Sequence, residues 1–266
     1  MNVVVPRSHS ETENAVYPDR FLMMGWSVLL AAVMVGARVL AIASNHSREF
    51  WLAWSAAVGL IAFISPISGI AISLGNVFIS LDDSSPLGLS VGQLAGAGAA
   101  TRMLLQLATR RVVLNRVWRL SHFAFGSIIF IVLLSALVSP FLGLPWGIVR
   151  KLLLIILLYI ITLAYVNTAN QLLFVQMTIA LCAAIAAVLT VNQALTGTRL
   201  VEERAIGLTG NPNYQAIYLG VAMPLIFSLL VYLKSAYWRI LIFTAGVATI
   251  GGVVATASRG GAIVLS

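Results

Sequence analysis

The chain has 266 residues, 60% of them hydrophobic and only 9% charged, with a mean hydropathy of +1.00 and a net charge of +8. Soluble domains carry about 25% charged residues, and a water-soluble fold of this length has too little interior to hide so much apolar surface. The composition excludes a soluble globular domain and predicts a polytopic helical membrane protein.

In chain order, residues 1–20 form a polar tail of mixed charge, unlike a cleavable signal peptide. Residues 21–266 are expected to form one transmembrane helical domain. Apolar runs of near-membrane length cover 21–43, 121–143, 152–167, 170–192, 214–233 and 240–257. Between the first two, segment 50–80 carries "FISPISG", whose proline and glycine predict either one kinked crossing or a short hairpin of two. Segment 87–107 is rich in small residues, with Gly92 and Gly96 at the spacing that lets membrane helices pack closely. The fold class read from this pattern is all-α, a bundle of about eight spans, since helices satisfy their own backbone in lipid.

Basic residues set the expected orientation. Arg110, Arg111, Arg116 and Arg119 make the densest basic cluster, which places 108–119 on the cytoplasmic side. Counting forward puts 144–150 outside, 168–169 inside, 193–213 outside, 234–239 inside and Arg259 outside. Lys234 and Arg239 agree, whereas Arg150 and Lys151 oppose the assignment. Counting backward, the N-terminus is cytoplasmic only if 50–80 crosses twice. The net positive charge belongs to this loop bias, so no nucleic-acid partner is expected. Cys182 is a lone cysteine in an apolar run, and His9, His46 and His122 are scattered, so no metal and no cofactor is expected.

Two polar motifs converge on the outer side by this parity. One is "RAIGLTGNPNYQA", 204–216, in the long loop 193–213; the other is "TASRGG", 256–261, at the end of the next outgoing run. Asn211 and Pro212 read as a helix entry. Two asparagines and Arg204 beside that entry also offer donors and acceptors suited to sugar hydroxyls or phosphate. Arg259 can simply snorkel from a helix end. However, Ala248, Gly252, Thr256 and Gly260 leave a smooth face beside it, fit for another helix or for a lipid chain with an anionic head. Glu202 and Glu203 read as a solvated loop, and Asp82 and Asp83 as a turn before a helix. Arg102 reads as a snorkelling residue at its helix's inner end, and Arg38 lies deeper in its run.

The ordered pair of motifs resembles the O-antigen ligase and polymerase family of bacterial inner-membrane glycosyltransferases. That family shows Arg-x-x-Gly and Asn-Pro-Asn entering one helix and Ser-Arg-Gly ending the next. Both motifs and the helices before them are compatible, so the resemblance covers essentially the whole chain. It implies metal-independent transfer of a glycan from undecaprenyl pyrophosphate to an acceptor hydroxyl on lipid A-core, a growing polysaccharide or protein, at the periplasmic face of the inner membrane. By the resemblance, Arg259 is catalytic and holds the pyrophosphate leaving group, while Arg204, Asn211, Asn213 and Ser258 bind substrate. Family members continue into a large periplasmic region with a further arginine and a catalytic histidine, which nothing here matches. On that comparison the chain is expected to be an N-terminal portion, inactive alone. The alternative expectation is a transporter or transport accessory, such as an inorganic-carbon uptake protein sharing these motifs, with "FISPISG" as its broken helix.

Overall fold

The computed structural model describes residues 17–43, 48–79, 90–109, scattered positions between 126 and 134, 143–198, 200–201 and 204–256. Among them stand eight helices: α1 (Tyr17–Ala43), α2 (Arg48–Ile64), α3 (Pro66–Ile79), α4 (Val91–Ala108), α5 (Gly143–Tyr165), α6 (Ala169–Thr196), α7 (Pro212–Tyr232) and α8 (Ala236–Ala255). A two-residue ribbon pairs β1 (Leu200–Val201) with β2 (Arg204–Ala205), antiparallel, with Leu200 opposite Ala205 and Val201 opposite Arg204. The all-α expectation holds. Three helices, α6, α7 and α8, are long and apolar enough over their described residues to cross a membrane. The expected crossing over 121–143 falls largely outside the described residues, as do the tail 1–16 and the basic cluster 110–119.

Capping chemistry explains where several helices begin. Ser90 accepts from Gln93 N–H while the Gln93 side chain answers the Ser90 N–H, a reciprocal pair that opens α4. Thr168 and Gln171 repeat the device at α6. α6 ends where Gly197 adopts φ +68, a left-handed stop that favours glycine. α5 starts at Gly143, so the expected outer loop 144–150 is instead helical. Pro145 sits in the first turn of α5, where a missing N–H does no harm, and Arg150 and Lys151 therefore belong to a helix, not to a loop.

Close approaches of small residues fix how the helices run. A Cβ on Gly246 would lie 3.3 Å from Ile226, and one on Gly252 would lie 2.8 Å from Leu219. As the index rises on α8 it falls on α7, so the two are antiparallel. The end of α8 therefore lies level with the start of α7, beside the 197–211 connection; this is the loop end of the bundle. The opposite, turn end carries residues 166–168 and 233–235. Ser27 Oγ donates to Phe174 O at 3.2 Å, and a Cβ on Gly75 would meet both Cys182 and Met34. α1 thus runs beside α6 in the same direction, from the turn end to the loop end.

Segment 50–80 is resolved as two helices, broken at Ser65. A Cβ on Gly69 would lie 2.7 Å from Ala62 Cβ, whereas seven residues of unbroken helix span about 10 Å; the chain folds back on itself here. α2 runs parallel to α4, with Gly59 against Gly98 and Phe63 against Arg102. α3 runs antiparallel to α4, with Gly69 against Ala95 and Ser73 against Gly92. The Tyr165 hydroxyl donates to Gln106 Oε1 at 2.8 Å, so the C-terminal ends of α4 and α5 share the turn end. The α2–α3 hairpin thus enters and leaves at the loop end. Its tip stops level with Gly98–Arg102, about 9 Å or more short of the end of α4 at 1.5 Å per residue. α3 has 14 residues, about 21 Å, too short for a ~30 Å hydrocarbon core.

This short helix is the middle of the bundle, with ten of its residues buried and α1, α2, α4, α5 and α6 packed around it. The outer surface is apolar instead: Val231 is 88% exposed, Val254 68% and Phe243 61%. An apolar exterior around a partly polar interior suits lipid. In lipid, burial of apolar side chains drives little, and close backbone approach by glycine and alanine replaces it. The Gly92 and Gly96 spacing does that work against Ser73 of α3. The Arg102 guanidinium lies over the Phe63 ring, 5.5 Å from its centroid.

Candidate functional site at the loop end

The connection between α6 and α7 is a short, firmly bonded loop. After the ribbon, Gly207 and Gly210 adopt φ +61 and +73, left-handed values that turn the chain twice within four residues. Thr209 Oγ1 donates to Asn211 O at 3.0 Å and closes the second turn. Asn211 Oδ1 then accepts from Asn213 N–H at 2.9 Å and Tyr214 N–H at 3.4 Å, capping α7, with Pro212 as its first residue. The expected helix entry at Asn211–Pro212 is thereby observed.

Under this loop lies a polar floor, of which only Gln215 falls within the two quoted motifs. Gln193, in the last turn of α6, donates from Nε2 to Gly207 O at 3.2 Å. Gln215, in the first turns of α7, donates from Nε2 to Thr190 Oγ1 at 3.2 Å, and Thr190 donates onward to Ala186 O at 2.7 Å. Gln193 is 8% exposed, Gln215 1% and Thr190 0%. The Gln215 amide packs directly against Gly207: a Cβ there would collide with its Cδ and lie 2.7 Å from its Oε1. Both amide oxygens, Gln193 Oε1 and Gln215 Oε1, are buried without a hydrogen-bond donor among the described residues. Thr256, fully buried at the end of α8, spends its hydroxyl on Val253 O within its own helix.

The residues singled out from sequence divide as follows. Arg204 is half-buried on β2, Asn211 is half-buried at the α7 cap, and Asn213 is exposed in the first turn of α7. All three belong to the loop end. Ser258 and Arg259 lie outside the described residues, as do Glu202, Glu203, Asp82 and Asp83. The last described residues of α8 approach the same end. The smooth face of α8 packs helices: a Cβ on Gly252 would lie 2.7 Å from Ala187 Cβ and 2.8 Å from Ala187 Cα. That stretch is filled by α6 and α7, not open to a lipid chain. Gln193, Gln215 and Thr190 were missed because each reads as an ordinary polar interruption near the end of an apolar run.

A cleft of about 240 Å³ opens between α3, α4 and α5. Leu154, Leu157, Leu158 and Ile161 form its aliphatic wall, and Ser73, Ser90 and Gln93 its polar margin. Ser90 opens α4 at the loop end, whereas residues 154–161 lie in the half of α5 nearer the turn end, so the cleft runs from the loop end into the middle of the bundle. Chemically, the loop end offers a guanidinium, amide donors and acceptors, and a helix N-terminus, groups suited to hydroxyl-bearing or phosphate-bearing ligands. Among the described residues, no group of three His, Cys, Asp or Glu side chains gathers to hold a metal ion.

No family model, no curated protein and no solved structure matches the chain. The functional reading therefore rests on the two motifs and on the geometry of the loop end.

Proposed function

We propose that the chain belongs to a multi-pass inner-membrane glycosyltransferase of the O-antigen ligase or polymerase type. In this reading it moves a glycan from undecaprenyl pyrophosphate to an acceptor hydroxyl at the periplasmic face. The single observation that supports it most is the antiparallel packing of α7 on α8, which draws the Asn211-capped entry of α7 to the end where α8 finishes. In sequence, "GNPN" begins the one helix and "SRGG" follows the other, so the packing favours a shared site for motifs some forty residues apart.

In the transfer, the acceptor hydroxyl oxygen forms a bond to the anomeric carbon as the bond from that carbon to the pyrophosphate oxygen breaks, and the hydroxyl proton passes to water or to the departing pyrophosphate. Negative charge grows on the departing oxygen, and the Arg259 guanidinium offsets it, holding two phosphate oxygens with its planar fork. Arg204 and the Asn211 and Asn213 amides line the rim and orient the lipid-linked donor, with Ser258 beside Arg259. The aliphatic wall of the cleft suits part of a polyprenyl chain. With the loop end periplasmic, the N-terminus is cytoplasmic, because the α2–α3 hairpin returns to the side it enters from.

The test is Arg259→Lys in the full-length protein, assayed for glycan transfer from undecaprenyl pyrophosphate to acceptor. Lysine keeps the charge but loses the bidentate fork, so the expected result is a fall in kcat of about a hundredfold, the scale of losing one oxyanion donor. Transfer at near wild-type rate would overturn the assignment. A second reading, transport, is favoured by one observation, the α2–α3 hairpin whose broken tip stops inside the bundle, the kind of interruption that lines transporter sites. Uptake by proteoliposomes without any glycan donor separates the two.

A further inference from the structure

We propose that Gln193 and Gln215 are positioning residues that clamp the Arg204–Asn211 loop onto the ends of α6 and α7, with Gly207 as the seat. The proposal rests on the glycan-transfer reading and assigns a role to residues outside the Asn-Pro-Asn and Ser-Arg-Gly motifs.

The clamp has two jaws. Gln193 reaches from α6 and holds the Gly207 carbonyl, while Gln215 reaches from α7 and lies against the Gly207 Cα. The Gln215 bond to Thr190 ties the second jaw back to α6, so both jaws are fixed to one helix. Only glycine can sit between them. Its φ of +61 is left-handed, and the direction in which any other residue would carry Cβ is filled by the Gln215 amide. Arg204 lies three residues before this seat and Asn211 four after, so holding Gly207 fixes the reach of both. Misplacement of a binding group by about 1 Å is enough to impair a transfer site severely.

Packing alone does not account for glutamine at either position. Each amide uses its nitrogen on the protein and leaves a buried oxygen without a donor among the described residues. Methionine or leucine would fill similar space and leave no bare acceptor, which is the arrangement a purely structural contact favours. What glutamine adds is a directed bond to the loop and to Thr190.

The experiment uses the full-length protein in nanodiscs with Gln193→Met, Gln215→Met and Thr190→Val, each close in volume to the residue it replaces. Hydrogen exchange read by mass spectrometry over residues 204–211 is expected to quicken about tenfold, with exchange in 173–187 unchanged, as for a local opening. In the transfer assay, KM for the undecaprenyl-pyrophosphate-linked donor is expected to rise about tenfold with kcat within about twofold, the mark of donor binding lost equally from the ground state and the transition state. A merely destabilised protein would lose active fraction, lowering apparent kcat at constant KM. Gln215→Met and Thr190→Val should not add when combined. Unchanged loop exchange in both glutamine variants overturns the clamp, and faster exchange at unchanged KM overturns its positioning role. If wild-type protein transfers no glycan, the transfer reading fails, and loop exchange alone then decides whether the clamp exists.

Discussion

Gly252→Ala sets two effects of known size against each other. Within a helix, alanine is favoured over glycine by about 0.8–1.0 kcal/mol, so propensity alone predicts a more stable α8. Packing predicts the reverse. The new Cβ would lie 2.7 Å from Ala187 Cβ, 2.8 Å from Ala187 Cα and 2.8 Å from Leu219 Cδ1, where carbon pairs prefer about 3.5–4.0 Å. Leu219 is fully buried and has nowhere to rotate, and Ala187 Cα is backbone. α6 and α8 must therefore separate by close to 1 Å, and overpacking of this kind costs about 1–3 kcal/mol. The net expectation is a loss of about 0–2 kcal/mol, a fall of up to about 8 °C in Tm for a chain of this size. Gly25→Ala and Gly36→Ala in α1 serve as opposite controls, since nothing lies within 4 Å of either new Cβ. Each should gain about 1 kcal/mol and rise in Tm. Thermal unfolding in mild detergent, followed by tryptophan fluorescence, reads all three. If Gly252→Ala rises alongside the controls, the close approach of α6, α7 and α8 is wrong, and with it the geometry that brings the two motifs to one end.

Gly207→Ala should quicken hydrogen exchange across 204–211 more than either glutamine variant, because it forces a left-handed conformation costing about 1–2 kcal/mol and also displaces the Gln215 amide; exchange equal to wild type would refute the seat. For the α2–α3 hairpin, single cysteines at Glu49, Ser90 and Thr198 should all react with a membrane-impermeant thiol reagent from the same side of sealed vesicles. Cys182 is buried and should stay silent, so the native chain is its own blank. Labelling of Glu49→Cys from the side opposite Ser90→Cys and Thr198→Cys would show that segment 50–80 is a single crossing and not a hairpin.

How far the sequence reaches depends on whether a residue acts through its neighbours in the chain or through distant ones. Asn211 and Pro212 announce a helix entry because capping is a local bond, and the α7 start follows directly. The apolar run ends at 192 in the sequence because Gln193 is polar, whereas the helix continues to Thr196 and stops at the left-handed Gly197; the partner of the Gln193 side chain, Gly207, lies fourteen residues on. "FISPISG" marked a break but could not say whether the chain bends or reverses. That choice is made by Ala62, Gly69, Ala95 and Gly98, whose small side chains let three helices meet, and no one-dimensional pattern pairs them. Likewise, the recurring small residues of α8 were compatible with a helix or a lipid chain until Ala187 and Leu219 were seen to occupy that face. The polar floor follows the same logic. A buried glutamine near the end of an apolar run carries no motif, and its meaning appears only when the partner it holds turns out to be the backbone of the loop bearing Arg204. If the site works as proposed, its charged groups are legible in the sequence and the residues that aim them are not, because aiming is done across helices.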